Sequence, residues 1–232
     1  MKNWKLTIGF FFVFTLNVYS QDSSKVVLIL KTMPTTMFDL DNTFTFGVEI
    51  PFKKVFSFQQ EIGWGNPNLN VWKRERQVYP DRVNWRFRTQ VRHYFHENKS
   101  HTGRLYWGAE YFRKDIFINQ PRSTGRQCNA QTRVCAYFED VNVETHRAIG
   151  GLHLKFGYQG KISNNVVLDF FMGFGLRNIN VSNDADIQDE DFFLGGGIIR
   201  LDFRPTNLGN YTTPSIALGF SVGYEIKKKK IF

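Results

Sequence analysis

Residues 84–95, NWRFRTQVRHYF, alternate strictly by parity. Trp85, Phe87, Thr89, Val91, His93 and Phe95 fall on one side, Arg86, Arg88, Gln90, Arg92 and Tyr94 on the other. Period-two alternation specifies a strand with two chemically opposite faces, but it does not say which face meets water. In a water-soluble sheet the arginines face solvent. In a membrane barrel the aromatics face lipid and the arginines fill the lumen.

The same two-faced pattern recurs along the chain. Residues 42–52 set Phe44, Phe46, Val48, Ile50 and Phe52 against Thr43, Thr45, Gly47 and Glu49, and residues 55–64, 104–118, 146–160, 166–178 and 214–226 repeat it. With 84–95 these make seven strands. An eighth candidate, 25–38, alternates poorly and contains Pro34, so it reads either as an irregular first strand or as a segment that partly plugs the interior. Short connections at 53–54, 96–103 and 161–165 alternate with long ones at 65–82, 119–145 and 180–213. An even strand count with short turns at one end and long loops at the other is the rhythm of an outer-membrane barrel.

The first residues, MKNWKLTIGFFFVFTLNVYSQ, place Lys2 and Lys5 before an apolar run from Leu6 to Leu16 and close on small residues. That run is shorter than the ~20 residues of a membrane-spanning helix and reads as a signal peptide, 1–20, cleaved after Ser20. The mature chain, 21–232, has no linker that would divide it and reads as one exported domain. An exported chain with scattered lysines and arginines gives no expectation of a nucleic-acid partner despite a formal net charge of +9. Cys128 and Cys135 lie in a polar stretch, and in an oxidising compartment they are expected to pair; no CxxC spacing or second ligand pair suggests a metal. No cofactor is expected.

The polar parity carries glycines in mid-strand, among them Gly47, Gly63, Gly108, Gly151, Gly157, Gly173, Gly175, Gly219 and Gly223. A narrow interior crowded with long side chains benefits from such gaps. Its charges nearly cancel. Glu49, Glu61, Glu110, Asp169 and Glu225 stand against Arg86, Arg88, Arg92, Arg147, Lys155 and Arg177, with His153 beside them, as expected of a paired polar network inside a closed tube. The expected fold class is all-β, an eight-stranded antiparallel up-and-down transmembrane β-barrel with long extracellular loops.

The signal end YSQ (19–21), the segment TFTFGVEIPFKKVFSFQQEIGWG and the closing PSIALGFSVGYEI resemble small outer-membrane β-barrel proteins of the Bacteroidota. Such barrels end in a final strand that serves as an assembly signal, although here the chain runs on through KKKKIF. The resemblance implies a bacterial outer-membrane location, with lipid, lipopolysaccharide and the barrel-assembly machinery as partners.

Chemistry is sparse on the apolar parity. Only His93 falls there, with no serine two residues away, so no enzyme is expected. The acidic run NDADIQDED, 183–191, lacks the glycine and final glutamate of an EF-hand and reads as a solvated loop. Residues 191–203 read as a loop hairpin or a ninth strand. The expectation is a non-enzymatic protein that presents loops for envelope integrity, adhesion or partner binding. The alternatives are a narrow solute channel, a lipid-modifying enzyme and a secreted lipocalin-like ligand-binding barrel.

Overall fold

The computed structural model describes residues 26–95, 103–129, 132, 134–183, 192–193 and 208–228. The expected signal peptide, 1–20, lies outside these residues, as do nearly all of the acidic run 183–191 and the last four residues. The strands are β1 (Val26–Thr32), β2 (Phe44–Pro51), β3 (Phe56–Gly65), β4 (Val83–Tyr94), β5 (Gly103–Cys128), β6 (Cys135–Lys161), β7 (Val166–Asn183), β8 (Phe192–Phe193) and β9 (Gly209–Lys227). A short α-helix, α1 (Lys73–Val78), lies in the β3–β4 connection after a 3-10 turn at Pro67–Leu69.

All pairings are antiparallel. Each strand from β1 to β6 pairs with its successor, β7 pairs with β9, and β9 pairs with β1. Because β4 bonds to β3 on one side and β5 on the other, the eight long strands close on themselves, and β5 and β6 run on past their outer neighbours beyond Phe117 and before Thr145. Unpaired edges invite association with other chains, and closure removes them.

Parity decides which side chain lies inside. On β4, Arg88, Gln90, Arg92 and Tyr94 are buried while Trp85, Phe87 and Val91 are exposed. The neighbours behave alike: Phe46, Phe170 and Leu218 are 57%, 52% and 69% exposed, whereas Lys155 and Asp169 are fully buried. The apolar parity therefore faces outward and the charged parity inward. A contiguous apolar face of this extent marks an interaction surface.

The expected eight-stranded transmembrane barrel with long extracellular loops is corrected to a single nine-stranded antiparallel sheet. The ninth strand, β8, comes from the stretch 191–203 and adds a two-residue rung to β5. Most of 119–145 is no loop: β5 and β6 stay paired from Gly103↔Gly160 to Cys128↔Cys135. Residues 136–140 are exposed on both faces, so a search for one apolar parity passes over a ribbon that backbone hydrogen bonds alone define. A Cys128–Cys135 disulfide clamps its tip. Among the described residues no helix is long and apolar enough to cross a membrane, a statement about helices and not about strands.

The segment 25–38 divides in two. After β1, a 3-10 turn at Pro34–Met37 carries the chain inward, where Thr36 donates to the carbonyls of Met33 (2.8 Å) and Thr43 (2.7 Å). Pro34, lacking an N–H, fits at the start of such a turn.

Candidate functional site: a charged interior and its basic cavity

Two ionic clusters fill the interior between the strands. In the first, Lys31 of β1 reaches Glu49 (2.5 Å), Asp169 (2.8 Å) and Gln59 (3.1 Å). Arg92 bonds Asp169 at 2.6 Å and Gln90 at 3.1 Å, and its guanidinium lies 4.3 Å from the centre of the Tyr106 ring. Tyr106 donates to Asp169 (2.7 Å), Ser57 to Glu49 (2.6 Å), and Tyr94 to Gln159 (2.9 Å) and to Glu49. Burial alone would raise the Glu49 carboxyl, but Lys31 and Arg92 more than offset it and hold the group at about 2. Asp169 is likewise held well below the usual carboxylate range, burial again being outweighed by Arg92 and Lys31.

The second cluster lies beside it. Glu110 of β5 bonds Lys155 and, at 3.2 Å, Nδ1 of His153 on β6. Arg88 stands 3.5 Å from Glu61. The ring of Phe112 stacks on His153 with centroids 4.6 Å apart, and Nε2 of His153 meets the Ser215 hydroxyl at 2.9 Å.

Beyond these clusters, toward the β3–β4 connection, the interior opens into a cavity of about 440 Å³. Its walls carry Arg86, Arg88, Lys114, Arg147 and Arg177 against the carboxylates of Asp39 and Asp41, with His153 and Ser215 also on the lining. Part of this charge is neutralised: Lys114 bonds Asp39 at 2.9 Å and Arg147 bonds Asp41 at 2.7 Å. Arg86 is served poorly, its approaches to Thr43 and Asp39 being 3.5 Å and 3.9 Å. The Nε–H groups of Arg86, Arg88 and Arg147 are buried and donate to no partner among the described residues, as is also true of Arg82 and Arg92 away from the cavity lining. Burial and the neighbouring Arg88 push Arg86 down to about 10, the direction expected where cations outnumber anions.

A larger concavity of about 1140 Å³ lies on the outer surface over β1 to β4 and the adjoining β9, lined by residues such as Leu30, Phe46, Ile62 and Tyr224. Few polar groups there could orient a ligand, so directed chemistry belongs to the inner cavity. Among the described residues no three His, Cys, Asp or Glu side chains are grouped to hold a metal ion.

The sequence-predicted interior residues are distributed as follows. Glu49, Arg92 and Asp169 meet in the first cluster, and Glu61, Arg88, Glu110, His153 and Lys155 in the second. Arg86, Arg147 and Arg177 line the cavity. Glu225 stands apart, near the opposite end, 3.4 Å from Lys161 and 3.6 Å from Lys227. Reading by strand parity missed Lys31, Lys114, Asp39, Asp41 and Ser215 as site residues. Lys31 sits in the poorly alternating first strand, and the two aspartates follow the 3-10 turn, where parity has no meaning.

The functional expectations are corrected by this arrangement. The interior is crossed by paired charges, which overturns the narrow solute channel, and those charges also overturn a lipocalin-like apolar ligand chamber. On the outer face His93 packs among the rings of Phe56, Phe95 and Trp107, which gives no support to a lipid-modifying centre there. Presentation of three long loops is overturned by the paired β5–β6 ribbon.

No family model, no curated protein and no solved structure matches the chain. The resemblance to Bacteroidota outer-membrane proteins has no match to rest on. It is withdrawn, and with it the outer-membrane location and the lipopolysaccharide and barrel-assembly partners that it implied.

Proposed function

We propose that the chain is a binding protein for a small anion, held in the basic cavity at one end of its closed sheet. The observation that carries this reading is the gathering of Arg86, Arg88 and Arg147, each with a buried Nε donor that lacks an acceptor, on the lining of one cavity. A buried guanidinium donor left unmade costs on the order of 1–3 kcal/mol, and a carboxylate or phosphate oxygen offers charge and acceptor together. The cavity volume falls in the range of small-molecule sites. Since the two ionic clusters fill the interior behind it, the cavity serves retention rather than passage.

Calorimetric titration of the purified protein with inorganic phosphate and with succinate, against chloride as control, tests the reading. Expected is saturable binding of at least one of the two, weakened about tenfold or more in Arg86→Gln, since one charge-assisted hydrogen bond is worth roughly 1.5–3 kcal/mol. Absence of heat from both anions, with Arg86→Gln less stable than the parent, would show the arginines to be structural only and overturn the reading.

A further inference from the structure

One row across the sheet brings together three groups that the sequence keeps far apart. Glu110 on β5 is the cross-strand partner of His153 on β6, His153 of Gly175 on β7, and Gly175 of Ser215 on β9. Glycine at 175 makes the row work: a Cβ there would stand 2.8 Å from Cδ2 of His153 and 1.8 Å from the Leu152 carbonyl oxygen. With no side chain in between, the imidazole lies across β7 and reaches the Ser215 hydroxyl at 2.9 Å, while its other nitrogen stands 3.2 Å from Glu110. Hydroxyl, imidazole and carboxylate thus stand in the order and at the spacing of a nucleophile, its base and the group that orients the base.

We propose that Ser215, His153 and Glu110 form an acyl-transfer centre that hydrolyses a small carboxylic ester bearing an anionic group. This rests on the anion-binding reading, because the basic cavity holds the anionic end while Ser215 and His153, both on its lining, meet the ester. Ser215 Oγ attacks the ester carbonyl carbon and passes its proton to His153 Nε2. The carbon–oxygen bond to the alcohol breaks, and the departing alkoxide takes that proton. Water then attacks the acyl-serine through the same base, releasing a carboxylic acid and regenerating the serine. Ester and water balance acid and alcohol, with no redox partner.

Three further features suit these roles. The Phe112 ring stacked on His153 fixes the imidazole plane. Burial would raise the Glu110 carboxyl, but Arg88 and Lys155 outweigh it and keep Glu110 ionised, so that it selects the tautomer with hydrogen on Nδ1. Arg88, whose Nε lacks an acceptor among the described residues, lines the cavity and offers a cationic donor for the oxyanion.

The test treats the full chain with a small alkyl fluorophosphonate, followed by intact-mass and peptide analysis. In parallel, hydrolysis of the mono-4-nitrophenyl ester of succinic acid is measured. Expected are a single adduct on Ser215, lost in Ser215→Ala and slowed in His153→Gln, and ester hydrolysis reduced about a thousandfold or more by either change. Phosphate binding without adduct or hydrolysis overturns the acyl-transfer centre and leaves the anion site standing. An adduct indifferent to His153 overturns the relay. Should Ser215→Ala fail to fold, Ser215→Cys keeps the test open, since the native cysteines are paired and do not compete. Alkylation of that thiol by iodoacetate is expected to depend on His153, and equal rates with and without the histidine count against the proposal.

Discussion

Lys31 shows how much one buried side chain decides. The residue is 3% exposed, and its ammonium lies between the carboxylates of Glu49 and Asp169 and also bonds Gln59. A buried ion whose partner is removed keeps its desolvation penalty and loses its compensation. Lys31→Met is therefore expected to destabilise the protein by about 3–5 kcal/mol, read as a fall in the urea midpoint. A loss under 1 kcal/mol would mean that Arg92 alone suffices for both carboxylates. Lys31 was not legible by parity, because Pro34 and the apolar run before Lys31 obscure the alternation of β1.

At the scale of elements, the β5–β6 ribbon differs from the rest of the sheet. Near β4 and β7 its strands have neighbours on both sides, but toward Cys128 and Cys135 they rely on each other and on the two-residue β8. A two-stranded ribbon exposed on both faces is marginal in water, and a disulfide at its tip limits the freedom of the opened state by on the order of 2 kcal/mol. Replacing both cysteines by serine is expected to raise amide hydrogen exchange across 119–145 while the strands around the ionic clusters keep their protection. Uniform loss of protection would show that the ribbon is coupled to the whole. The alternating strands of the closed part were readable as elements because each has one apolar face. The far ribbon was not, since polar residues on both faces leave no periodicity to count.

The whole molecule encloses much of its charge and turns much of its apolar surface outward, with two small apolar clusters buried beside the ionic ones, so its stability depends on protonation as well as on apolar packing. Glu49 is held at about 2 against an ordinary value of 4.5, and Glu110 and Asp169 are lowered further by their cationic neighbours. A carboxyl lowered on folding contributes stability that is complete above its unfolded value and lost as pH falls through the folded one. Stability is expected to decline from about pH 4.5 toward pH 2 as these groups take up protons, followed as the urea midpoint across that window. A midpoint that stays level there would mean that the clusters are protonated equally in the folded and unfolded chains.

Alternation along the sequence determined that the chain forms strands and that each has one apolar and one charged face. It also marked the residues that would share an interior, since parity is a local property fixed by the pleat. Only the tertiary structure decided which of those residues touch. Ser215, His153 and Glu110 lie on three strands, two of them separated by β7, and their meeting depends on lateral register and on the missing side chain at Gly175. Register arises from pairings between distant segments, and no count along a single strand contains it.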